Sequence, residues 1–239
     1  MTPRPHARMR RAAAAPLIVA VGLVALAGCD PRPLFYFLQP WEPTVAAPYK
    51  GSLKGKRVVV LTHAAAGTQN DFLALDRDLA REFGNILREK VKKIDLVSQK
   101  KVWDWVDGHP NWTDPAEAAE AFEADLVIFL EIEAFQVQDP HSPGLLEGTA
   151  KTHIQAVSLD YPKNSKGKPI TDQEKESKVV YDDYCDTTFP IRGPIPAESG
   201  TSRNAFKNKF LQVVAAEVSW HFVEHAPEDA IQDARVGTR

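Results

Sequence analysis

The chain has 239 residues, 44% of them hydrophobic and 26% charged, a balance that suits a folded domain and excludes a polar, disordered chain. The formal net charge is −3 at pH 7, and no basic stripe with interleaved aromatic residues runs through the sequence, so nucleic acid is not an expected partner. The 2 cysteines, Cys29 and Cys185, allow at most one intramolecular disulfide.

The first residues are basic, up to Arg10 and Arg11. Residues 12–25 are small and apolar, with Leu17, Ile18 and Val19 the greasiest part. This is the charged, apolar, small-residue order of a secretory signal. The apolar run is short for a stop-transfer helix, which needs about 20 residues. It ends in Leu26-Ala27-Gly28-Cys29, which resembles the bacterial lipobox. The resemblance implies a diacylglyceryl group on the Cys29 sulfur, cleavage before Cys29 and a signal peptide over residues 1–28. Two or three acyl chains would hold such a protein well beyond the marginal grip of one. Processing removes four arginines and no acid, so the net charge moves from −3 to −7. With Cys29 acylated, Cys185 stands alone. Asp30 follows the lipid site; in enterobacteria an aspartate there goes with inner-membrane retention, and the choice of membrane stays open.

Residues 29–55 read as a tether. Pro31, Pro33, Pro40, Pro43 and Pro48 forbid a regular helix or central strand. Leu34-Phe35-Tyr36-Phe37-Leu38, with Trp41 nearby, is too apolar for a solvated linker. It is expected either in the headgroup layer of a membrane or against the folded domain.

From residue 56 the pattern becomes that of a domain, running to about residue 226. Arg57-Val58-Val59-Val60-Leu61 predicts a strand buried on both faces. After a loop to Asn70, a helix is expected from near Asp71: Phe72, Leu75, Leu79, Phe83, Ile86 or Leu87, and Val91 form one apolar stripe. Its early acids and late bases complement the helix dipole. Ile94-Asp95-Leu96-Val97 is a short strand, and Ser98 opens a helix carrying Val102, Trp103 and Val106. Asp114-Pro115-Ala116-Glu117 places a cap, a first-turn proline and an acid at the third helical position, a capping box. Leu126-Val127-Ile128-Phe129-Leu130 is a third strand, extended by Glu131-Ile132-Glu133. Residues 149–159 and 179–187 alternate like the strands of an antiparallel meander. A last helix begins near Thr201 or Ser202, its buried face running from Phe206 to His221 or Phe222, and residues 227–239 form a polar tail. The result is an α/β fold, a mixed sheet of about five strands in the order β-α-β-α-α-β-β-β-α with helices packed on it.

This order resembles an α/β envelope domain seen in the curli secretion lipoprotein, in lipoprotein activators of penicillin-binding proteins and in the N-terminal domain of the Tol-system propeller protein. Carrying the resemblance are the strand from Arg57, the helix from Asp71, Asp95-Leu96-Val97-Ser98 and the helix-strand unit of residues 118–130. Within that unit, Ala124-Asp125-Leu126-Val127-Ile128 matches the alanine, aspartate, apolar-strand step of those families. It spans residues 56–225 and contains no catalytic signature. The two long hairpins of a curli pore are not matched. Gly51-Ser52-Leu53-Lys54-Gly55-Lys56 and the tether also resemble uncharacterised lipoproteins of planctomycete-type bacteria, which implies no function.

Residues with possible chemistry are few. His221-Phe222-Val223-Glu224-His225 matches the inverted zinc motif H-x-x-E-H. On a helix, His221 and His225 would share a face and Glu224 would activate a metal-bound water. A third ligand is expected well downstream, however, and only 14 residues follow His225. Cys185 lies in Asp182-Asp183-Tyr184-Cys185-Asp186, where acids oppose a thiolate. Glu131 and Glu133 are paired carboxylates, or else the solvent face of an edge strand. The loop from His63 to Asp71 offers an anion a helix N-terminus, but Asp71 opposes it. Trp103, Trp105 and Trp112 read as core or interface packing, with sugar stacking as the alternative. The expectation is a membrane-tethered extracytoplasmic lipoprotein without enzymatic activity, cofactor or metal. It would bind the membrane through lipid on Cys29 and act by docking on an envelope protein or by self-association. The alternative is a metal-dependent hydrolase using His221, Glu224 and His225.

Overall fold

The computed structural model describes residues 44–138, 141–142, 144–162, 170, 175–197 and 202–227, with the backbone alone at 69–71. The chain divides into two units, Met1–Pro43 and Thr44–Arg239; the signal, the lipobox with Cys29 and the aromatic tether segment lie outside the described residues. Among the described residues no helix is long and apolar enough to cross a membrane.

The aliphatic run after Arg57 forms β1 (Arg57–Ala64). Strands β2 (Asp95–Leu96), β3 (Leu126–Gln136), β5 (Gly148–Asp160) and β6 (Glu176–Phe189) join it in one sheet of order β2-β1-β3-β5-β6. A small ribbon pairs β4 (Leu145–Leu146) with β7 (Ile195–Pro196). Strand β1 runs parallel to β2 and β3, whereas β3, β5 and β6 are antiparallel. The sheet is therefore mixed, with five strands and helices on it, as the sequence pattern predicts.

Both faces of β1 are covered. Val58 and Val60 join a core with helix α2 (Leu75–Lys90) and helix α5 (Arg203–Trp220), while Val59 and Leu61 join a second core under α3 (Gln99–Gly108) and α4 (Pro115–Ala121). This two-sided burial is why the run is continuous rather than alternating. The Asp114 capping box is present: its carboxylate accepts from Ala116 N at 2.8 Å, and Glu117 accepts from Asp114 N at 3.1 Å.

The first long helix does not begin near Asp71. A short helix α1 (Ala66–Asp71) comes first, and α2 starts only after Ala74 adopts a left-handed φ of 65°. That break lets Phe72 leave the stripe and meet the Phe135 ring edge-on at 5.1 Å. Residues 44–55 pack on the domain, with Tyr49 and Leu53 buried and Tyr49 N donating to His221 O at 3.0 Å.

Candidate functional site

The H-x-x-E-H run of residues 221–225 follows directly on helix α5. Ser202 caps its start by accepting from Ala205 N at 3.1 Å, and the helix closes at Trp220 with His221 as its C-cap. Phe222 N and Val223 N both donate to Ser219 O, tightening the last turn. Phe222 and Val223 are both buried, and Phe222 meets the rings of Tyr49 and Phe83. Two adjacent buried residues pull the chain off the helical path. His221 and His225 consequently share no helix face. His225 instead stacks on Trp220 at 4.4 Å and bridges Val45 through the backbone, while Glu224 is exposed. Among the described residues no group of three or more His, Cys, Asp or Glu side chains is placed to hold a metal ion.

What tertiary structure assembles here is a groove of about 250 Å3 between α5, β6 and the incoming chain, lined by Val45, Pro48, Cys185, Glu217, His221 and His225 among others. The Tyr181 hydroxyl donates to Asp183 Oδ2 at 3.0 Å and lies 2.6 Å from His221 Nδ1. A hydroxyl has one proton, so which of the two donates across the Tyr181–His221 contact depends on the His221 tautomer. Burial and then the Asp183 carboxylate push the Tyr181 hydroxyl well above its ordinary range. Burial lowers the His221 pKa, with Asp183 opposing it, and raises that of Glu217. The Cys185 thiol is free, buried and pushed up to about 11, by burial first and by Glu217, Asp186 and Asp183 after that. It is protonated at neutral pH, and a thiol is a poor nucleophile. The neighbouring acids named by the sequence pattern add to the shift, and desolvation is the larger cause. His225 Nδ1 is buried with no hydrogen-bond partner among the described residues. Tyr181, Asp183 and Glu217 belong to no motif. Forty residues separate Tyr181 from His221, and only the pairing of β6 beside α5 brings them together.

The other side of the sheet is open beyond the reach of α4. Strand β3, read as a possible edge, is central, and Glu133 is the extra residue of a bulge between Ile132 and Ala134. Its carboxylate accepts from Lys151 Nζ at 2.7 Å. His153 lies between Glu131, at 3.7 Å, and Asp182, at 2.8 Å, and stacks on Tyr184 at 4.6 Å. Gln155 also donates to Asp182, at 3.3 Å. These carboxylates hold neighbours across strands, which is a cross-strand pairing role. Tyr184 is 48% exposed at the middle of this face. The tryptophans diverge: Trp103 lies under Arg77, Trp105 stacks on His109, and Trp112 meets Phe129 and His63 edge-on.

No family model and no curated protein matches the chain. Among solved structures it is similar to the PelC dodecamer of Paraburkholderia phytofirmans, with 12% identity over 75% of this chain and 96% of that one and a TM-score of 0.38. It is similar to hypothetical protein CT253 of Chlamydia trachomatis, with 12% identity over 70% and 98% and a TM-score of 0.39. Lipoprotein GNA1162 of Neisseria meningitidis gives 10% identity over 68% and 97% and a TM-score of 0.35. Likenesses of this size assign the chain to no family.

Proposed function

We propose that this chain is a lipid-anchored extracytoplasmic module of the bacterial cell envelope that works by docking rather than by catalysis. The signal-like N-terminus and Leu26-Ala27-Gly28-Cys29 support the anchor. The observation that carries the docking role is β6. It is a 14-residue strand at the edge of the sheet, exposed along most of its length, with the open polar face around Tyr184 beside it. An edge strand presents a row of unpaired backbone donors and acceptors, which a partner can pair. Among the described residues the groove at the end of α5 offers no activated nucleophile, and His221 and His225, which both line it, are not joined by a third side chain placed to hold a metal ion.

Two experiments test this reading. Cys29→Ala should abolish acylation and move the protein out of the membrane fraction; unchanged membrane association would remove the anchor. A photo-crosslinking residue at Tyr184, used in cells, should give a discrete protein adduct. A probe at Tyr184 that gives no adduct, with activity against a hydrolase substrate lost on His221→Ala, would overturn the docking role.

A further inference from the structure

The two edges of the sheet carry opposite charge. At the β2 edge the end of α2, the loop after it and the start of α3 converge, because Gly55 N bonds Lys93 O and Asp95 N bonds Lys56 O. Arg88, Lys90, Lys92, Lys93, Lys100 and Lys101 are all exposed there. The acids among them are Glu89, Asp95 and Asp104, and Asp95 is already paired with Arg57 at 3.5 Å. At the β6 edge the sense is reversed. Asp182 and Asp186 are exposed on one face of the strand, which Glu131 and Glu133 share across the neighbouring strands, and Asp183 is exposed on the other. Lys151 is held by Glu133 at 2.7 Å, Asp182 by His153 at 2.8 Å and Asp183 by the Tyr181 hydroxyl at 3.0 Å, while Lys178 is exposed nearer the start of the strand. Of these three aspartates, Asp186 is the one without an ion pair among the described residues.

Four strand spacings separate these edges, about 19 Å at about 4.8 Å each. That exceeds the screening length of about 8 Å at physiological ionic strength. The two patches therefore do not neutralise one another within a molecule. A second copy placed edge to edge would bring them into contact. We infer that this chain self-associates head to tail, the basic β2 edge of one copy docking on the acidic β6 edge of the next. The contact uses two different surfaces, so it propagates: it closes into a ring if the rotation per step allows and otherwise extends as a filament. The bulge at β6 works with this. Ala156 pairs with Tyr181 and Val157 with Val179, so Val180 is the extra residue. Bulges discourage flat strand-to-strand pairing of like edges. The acidic half, beyond the bulge, is left to be met by side-chain charge.

This inference rests on the docking role proposed above and names a second copy as the occupant. The test is sedimentation velocity on the full chain in a non-ionic detergent. At about 50 mM salt the wild type should associate, and at about 500 mM the association should weaken by about tenfold or more, as charge pairing requires. A variant with Lys90→Glu, Lys92→Glu and Lys93→Glu, and another with Asp182→Lys and Asp186→Lys, should each sediment as the unassociated species alone. Mixing them should restore association, because every junction then pairs opposite charges again. The milder Lys92→Gln and Asp186→Asn should each weaken association severalfold while keeping the folded circular dichroism spectrum. A wild type that stays unassociated at low salt overturns the inference but leaves docking on another protein to the Tyr184 crosslink. Association that survives either charge reversal, or a mixture that fails to restore it, also overturns it. So does binding of the unassociated wild type, but not of the Lys90, Lys92 and Lys93 variant, to phosphatidylglycerol vesicles, which would give the basic edge to the membrane.

Discussion

Glu217 and His221 line the same groove and respond to acid in opposite senses. Burial raises the Glu217 carboxyl above its ordinary 4.5, so the folded state holds that proton more tightly than the unfolded state does. Its contribution is present below pH 4.5 and is lost as pH rises through the folded value. Glu217→Gln should therefore raise stability at pH 7, by no more than about 1 kcal/mol because water still reaches the group, measured as an increased urea midpoint. His221 is the reverse. Burial depresses its imidazole below the ordinary 6.5, so the unfolded chain takes up the proton first. Stability is full above pH 6.5 and falls as pH drops through the folded value. His221→Gln should flatten the change in urea midpoint between pH 7.5 and pH 5, and an unchanged slope would show that other groups govern it.

Packing between elements is tightest where β5 begins. A Cβ on Gly148 would lie 2.5 Å from the ring of Phe210, which is fully buried. The glycine is there because the α5 ring lies flat on the strand backbone, with Phe135 at 4.8 Å completing the stack. Gly148→Val should cost about 1–3 kcal/mol through overpacking, and Phe210→Ala about 3–5 kcal/mol through the cavity it leaves. Both are read as losses in thermal or urea midpoint. Asp114→Ala tests a local device instead. It removes an acceptor from Ala116 N at the start of α4 and should cost about 1 kcal/mol.

For the whole molecule, the sheet order sets a gradient of protection. Strands β1 and β3 lie between neighbours on both sides and are buried on both faces over residues 58–61 and 126–128. Strand β6 has a neighbour on one side only. Hydrogen exchange should be slowest in β1 and β3, opening only with global unfolding, and fast for the outward amides of β6. If β6 is protected in the assembled chain and loses that protection at high salt, the edge is covered by association.

Much of this was legible along the chain because it is local. The strand at Val58 to Leu61, the Asp114 cap and the stripe of α5 each follow from spacing within a few residues, since periodicity and capping are short-range physics. So was the alternation that marks β5. The left-handed Ala74 that delays α2 was not, because the pull comes from Phe135, more than sixty residues away. The H-x-x-E-H run shows the same limit: its spacing suits a helix, and the burial of Val223 and of Phe222, the latter against Tyr49 and Phe83, ends that helix at Trp220. Glu131 and Glu133 looked like a solvent edge until sheet order made β3 central. The Tyr181–His221 pair and the opposed charges of the two sheet edges are likewise products of topology. Sequence sets which residues are apolar, charged and capped at short range; only the pairing of distant strands decides which of them share a surface.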